Sequence, residues 1–142
     1  MAGAIFIDTW GWLALGSARD SKHHEVSKLY RTLRGEKRLI FTSDYILDET
    51  VTLLFRREGY ADALRFITGI LKSAEEKFIA IERISSDRFA EAWKLRQRFQ
   101  DKPDISFTDL TSMIVMKERH IKQILTEDVH FQHVGMGFQI VP

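Results

Sequence analysis

Four acidic residues, far apart in the chain, are the groups best suited to chemistry. They are Asp8 in AIFIDT, Glu49 in DYILDET, Asp109 in SFTDL and Asp128 in ILTEDVHF. Carboxylates gathered at short range repel one another, and a cation makes such a cluster tolerable. An all-oxygen donor set favours Mg2+ or Mn2+ over softer metals. A cation so held lowers the pKa of bound water, polarises a phosphoryl oxygen and steadies a leaving oxygen, which is what phosphodiester hydrolysis needs. Each acid also has an ordinary explanation. Asp8 can cap a helix over 9–17, and Asp109 can complement a helix dipole with Ser106 as capping partner. Glu49 can be a solvated helix residue and Asp128 a turn residue. Where the four fall in the fold decides between these readings.

The elements that must position them follow from the hydrophobic pattern. Residues 4–8, 38–43, 78–85 and 123–128 are short apolar runs of strand-forming type, and 138–142 is a further edge strand after the Gly135-x-Gly137 turn. Helical spacing predicts helices over 22–34, from a Ser43 N-cap to Arg57, and over 60–73, 86–100 and 107–119. Their inward residues include Val51 in the second, Leu64 and Leu71 in the third, and Phe89, Trp93 and Leu95 in the fourth. Short apolar strands alternating with amphipathic helices make an α/β fold with a mainly parallel sheet, covered by helices on both faces. Asp8 ends the first strand and Asp128 follows the fourth. Glu49 and Asp109 lie on helices that begin near the same edge. Ligand sites in such folds lie outside the carboxyl ends of the strands. Taken together, the four acids favour one site over four unrelated caps and turns.

With 142 residues, 44% hydrophobic and 29% charged, the chain has a globular balance and the size of one domain, taken as 1–142. It has no cysteine, which excludes disulfides, thiolate catalysis and cysteine-based zinc sites. The N-terminal apolar run is broken by Asp8 and lacks a basic lead, so neither a signal peptide nor a membrane span is expected. A soluble cytoplasmic protein is the expectation. A net charge of +1 decides nothing, but basic residues group over 28–38 and at Arg56 and Arg57. These are solvated helix faces or contacts for an RNA backbone.

FIDTWGWLAL, FTSDYILDETVTLL, DISFTDLTSMIVMKE and ILTEDVHF, in that order, resemble the four acidic motifs of the PIN domain, in particular the VapC branch of type II toxin–antitoxin systems. The resemblance covers almost the whole chain. It implies a three-layer sandwich with a mainly parallel central sheet of four to five strands flanked by helices. It also implies a Mg2+-dependent endoribonuclease (Mn2+ as the alternative ion), a homodimer, and a cognate antitoxin whose tail lies over the active-site groove. Its acids map to Asp8, Glu49, Asp109 and Asp128. Asp8 and Asp109 are the expected direct metal ligands, with Glu49 and Asp128 acting through water or at a second metal. Asp104 matches a further family acid ahead of the SFTD motif, with Asp101 as competitor. Asp44 matches another, though the helix dipole accounts for it.

Thr9 and Thr126 are placed to orient the carboxylates through their hydroxyls, and Thr9 is equally a helix-cap residue. Trp10 and Trp12 read as core residues more readily than as base-stacking platforms. His130-x-x-His133 has ligand-like spacing, but a zinc site needs two more ligands and the segment reads as a loop. Leu29, Leu33, Leu54 and Phe55 offer apolar helical surface for a partner. A catalytically silent PIN-like binding module is the alternative, which the presence of all four acids disfavours. An aspartyl-phosphate mechanism would want an acid two residues after Asp8, where Trp10 stands.

Overall fold

Parallel strands cannot be joined by tight hairpins, and this chain supplies helical crossovers between them. In the computed structural model, which describes residues 3–142, the elements run β1 (Ile5–Ile7), α1 (Thr9–Gly16), α2 (His23–Gly35), β2 (Ile40–Ser43), α3 (Asp44–Arg57), α4 (Tyr60–Glu75), β3 (Ile79–Glu82), α5 (Ser86–Arg98), α6 (Phe107–Arg119), β4 (Gln123–Leu125), α7 (His130–His133) and β5 (Gln139–Val141). The strands form one sheet in the order β3-β2-β1-β4-β5, and every neighbouring pair is parallel. This is an α/β sandwich with a parallel five-stranded sheet and helices around it, the architecture that the resemblance implies.

Central strand β1 sets Phe6 opposite Phe41 on one side and Ile124 on the other. Ile5, Phe6 and Ile7 are completely buried, as expected of a parallel strand covered on both faces. From β1 the chain builds outward through β2 to β3, then crosses back to β4 and β5. Strand order therefore reverses between β1 and β4. At such a reversal the flanking connections leave in opposite directions and open a crevice at the carboxyl edge.

Serine caps start the helices that frame this edge. Ser43 Oγ accepts from Ile46 N at 3.2 Å, Ser85 Oγ from Arg88 N at 3.2 Å and Ser106 Oγ from Asp109 N at 3.0 Å. Each satisfies a backbone donor that the first helical turn leaves unpaired. Helix α6 is buried continuously from Leu110 to Met116, so it is fixed on all sides by the core. It ends at His120, whose left-handed backbone (φ 57°) stops the helix. Helix α1 lies close over the sheet because position 11 has no side chain. A Cβ there would meet Ile7 Cγ2 and Leu125 Cγ, each at 2.9 Å.

The strands are shorter than the apolar runs suggest, because Asp8 and Ser43 already serve as the N-caps of the following helices. The segment after Asp128, expected as a loop, contains the one-turn helix α7. Phe89 and Trp93 do not point inward; they are 46% and 53% exposed, and α5 buries Ala92 and Leu95 instead. Val51, Leu64 and Leu71 are likewise exposed. Conversely, Leu33 and Leu54 are consumed by the core and Leu29 and Phe55 partly covered, so these four residues are not the free apolar surface expected of them. Among the described residues no helix is long and apolar enough to cross a membrane.

Candidate metal and nuclease site

Asp8 sits where β1 becomes α1, at the reversal point of the sheet. Its backbone N–H donates to Leu125 O (3.2 Å), tying the end of β1 to the end of β4. Its carboxylate is almost completely buried and accepts a hydrogen bond from Thr126 Oγ1 at 2.8 Å. The same Thr126 oxygen accepts from Asp128 N at 3.1 Å, so one buried hydroxyl holds both the first and the last acid. Thr9, the first residue of α1, donates from Oγ1 to Glu49 Oε1 at 2.7 Å. Asp8 caps α1 with its backbone alone, and its side chain makes no capping bond. The N-cap position of α1 thus falls to Asp8, and the Thr9 hydroxyl is spent on Glu49.

Asp109 stands in the first turn of α6, with its N–H held by Ser106. Asp109, Asp128 and His130 each offer one ligand atom, and these atoms lie within 4.8 Å of one another. Asp128 Oδ1 also accepts from His130 N at 2.9 Å, an Asx turn that opens α7.

The electrostatics bind the four acids into one group. Burial pushes the Asp8 carboxyl up to about 6, against hydrogen bonds from Thr126 and Thr9 that favour its charge, and the charges of Glu49 and Asp128 add to the rise. Burial pushes Asp109 up to about 8, reinforced by the charge of Asp8 and by the hydrogen bond and charge of Asp128; Ser106 opposes this. Every one of the four therefore acts on, or responds to, at least one other. Lys and Arg are absent from these causes. A mutually repelling, oxygen-rich set, buried at Asp8 and half-buried at the other three, fits a hard divalent cation.

Asp104 is exposed on the turn before α6 and is not among the charges that shift Asp8 or Asp109. Asp101 is paired with Lys102 at 2.9 Å. Asp44 accepts from Ile84 N and Tyr45 N, each at 3.0 Å, and so ties α3 to the end of β3. Arg56 and Arg57 are exposed in the last turn of α3, about 12 Å along the axis from Glu49. Arg34, Lys37 and Arg38 lie where β2 begins, at the sheet edge opposite the acids, beside Lys77 and Phe78. Trp12 is buried and donates to Thr42 Oγ1 at 3.0 Å, and Trp10 packs on the core. A cleft of about 610 Å³ between α1, α2 and α4, lined by Trp12, Tyr30 and Phe66, contains none of the four acids. Sequence reasoning passed over His130 as a neighbour of the acids. Its signal was its position two residues after Asp128, in reach of an Asx turn.

This fold and this edge define a class. The chain matches the family model described as the PIN domain over residues 5–136, and it belongs to that family. It is 32% identical over 131 residues to VapC20 of Mycobacterium tuberculosis, named as a 23S rRNA-specific endonuclease, covering 92% of this chain and 94% of the relative. The crystal structure of that protein, described as a sarcin-ricin loop cleaving toxin, superposes with a TM-score of 0.80 at 31% identity, covering 93% of this chain and 95% of the other. A VapC ribonuclease of Archaeoglobus fulgidus is 29% identical over 135 residues, covering 94% of this chain and 83% of its own length. The chain is thus a VapC-like PIN domain.

Proposed function

We propose that this chain, acting as a single domain over 1–142, is a Mg2+-dependent endoribonuclease and the cytoplasmic toxin of a VapBC-type pair. Mn2+ can take the place of Mg2+. The reading rests on one observation above the others: four carboxylates from four segments meet at the crevice between β1 and β4, where Thr126 holds Asp8 and Asp128, Thr9 holds Glu49, and the Asp109 and Asp128 ligand atoms lie within 4.8 Å of each other. Likeness to named ribonucleases supports RNA as substrate. A cognate antitoxin and a homodimer rest on the family likeness.

When bound, a divalent cation supplies a Lewis acid for the phosphoryl oxygen and an acidified water. Asp8 and Asp109 are the proposed direct ligands of one ion, and Glu49 and Asp128 act through water or hold a second ion, which Asp109 would share with Asp128. Thr126 keeps the Asp8 carboxylate fixed, and Thr9 does the same for Glu49. Arg56 and Arg57 lie far enough out to meet a flanking stretch of RNA backbone.

The test is cleavage of a panel of structured RNAs, including the sarcin-ricin hairpin of 23S rRNA, in Mg2+ and in EDTA. Cleavage should require the metal. Asp109→Asn should slow it by roughly 100- to 1000-fold, since charge and ligand are lost together. Cleavage that persists in EDTA, or at full rate in Asp109→Asn, contradicts the metal mechanism. RNA binding without cleavage across the panel indicates the silent binding module.

A further inference from the structure

We propose that His130 supplies a ring nitrogen to the cation that Asp109 and Asp128 hold, making the site a mixed nitrogen and oxygen set. The inference rests on the metal site proposed above. His130 is the first residue of α7, and its backbone N–H is already committed to Asp128 Oδ1 at 2.9 Å. Its ring Nδ1 lies 3.0 Å from that same oxygen. The contact is not directed as a hydrogen bond, so Nδ1 is a buried polar atom without a partner. A buried nitrogen left unpaired is unfavourable, and a ligand that accepts its lone pair removes the penalty.

The spacing also suits a shared ion. Two donor atoms bound at right angles to one octahedral cation, at about 2.1 Å each, stand about 3.0 Å apart. Nδ1 and Asp128 Oδ1 have that separation. The Asp109, Asp128 and His130 ligand atoms fall within 4.8 Å of one another, close enough for one ion to collect with small side-chain adjustments. The scaffold beneath is fixed. Phe131, the next residue, is fully buried and packs against the Phe138 ring at 6.2 Å, and Val134 is buried as well. His133, three residues on, is exposed. The His130-x-x-His133 spacing therefore does not serve one zinc ion; only its first histidine reaches the acids.

Imidazole favours borderline metals over Mg2+, so this ligand tilts the site toward Mn2+. The experiment is pulsed EPR on the full chain loaded with Mn2+. Wild type should show the 14N coupling of a directly bound imidazole, converted to a 15N pattern by 15N-histidine labelling. His130→Gln should lose it and His133→Gln should keep it. In titrations His130→Gln should bind Mn2+ about tenfold more weakly, with Mg2+ changed by about twofold or less. Bound Mn2+ without histidine coupling overturns the inference and leaves an oxygen-only site standing. Failure of wild type to bind Mn2+ at all removes both this ligand and the site it joins. Should His130→Gln fail to fold, the labelled wild type still decides.

Discussion

Thr126 shows how much one buried hydroxyl can carry. It donates to Asp8 and accepts from Asp128 N. Thr126→Val keeps the shape, leaves Asp128 N unpaired and takes from the buried Asp8 carboxylate one of its two hydrogen bonds. Stability should fall by about 1–3 kcal/mol, and Mg2+ affinity by roughly 10- to 100-fold, as for other residues that orient metal ligands. Thr126→Ser should recover most of both; urea unfolding and calorimetric titration measure them. Asp109 gives the metal-free protein a pH dependence of definite sign. An unfolded aspartate releases its proton near 3.8, whereas folded Asp109 holds one up to about 8. Between these values the folded state binds a proton that the unfolded state has lost, so stability declines as pH rises from about 4 to about 8. Asp8, raised to about 6, adds to the decline over the lower part of that window. Denaturation midpoints in EDTA across pH 4–9 check this, and saturating Mg2+ should flatten the slope, because the cation replaces the protons.

At the scale of elements, the close seat of α1 on β1 and β4 positions Asp8 and Thr9. Gly11→Ala sets two effects against each other. Helix propensity favours Ala by up to about 1 kcal/mol, but the new Cβ meets two fully buried side chains, Ile7 and Leu125, at 2.9 Å. Overpacking should win and leave a net loss of about 1–3 kcal/mol, read as a lower thermal midpoint. A variant more stable than wild type would mean that α1 is not pressed on the sheet. Most elements were legible in the sequence because each is long enough to show a period: α6 was expected over 107–119 and spans Phe107–Arg119. Helix α7 was not, since four residues cannot reveal a period. Phe89 and Trp93 misled because an aromatic at helical spacing signals burial whether or not a neighbour covers it, and here α5 needs only its Ala92 and Leu95 face. The acids were legible through chain order and strand ends. The Thr126 to Asp8 and Thr9 to Glu49 contacts, spanning 118 and 40 residues, depend on sheet order, which no local pattern carries.

At the scale of the whole molecule the two edges of the sheet differ in charge though the net is +1. The acids sit at the carboxyl edge of the sheet, and Arg34, Lys37, Arg38 and Lys77 gather at the amino edge. The basic run over 28–38 therefore reads as a separate surface, remote from the reacting phosphate. The account's central claim is that Asp8, Glu49, Asp109 and Asp128 act as one cation site, and thermal melts of wild type and Asp109→Asn, each in EDTA and in millimolar Mg2+, test it most directly. Without metal, replacing one crowded acid removes repulsion, so Asp109→Asn should melt at or above wild type. Mg2+ should raise the wild-type midpoint, by about 2.7 kcal/mol in stability at a hundredfold excess over Kd, and raise the variant much less. A variant that melts below wild type in EDTA, together with a wild type indifferent to Mg2+, would contradict the account and reduce Asp109 to a helix-start residue.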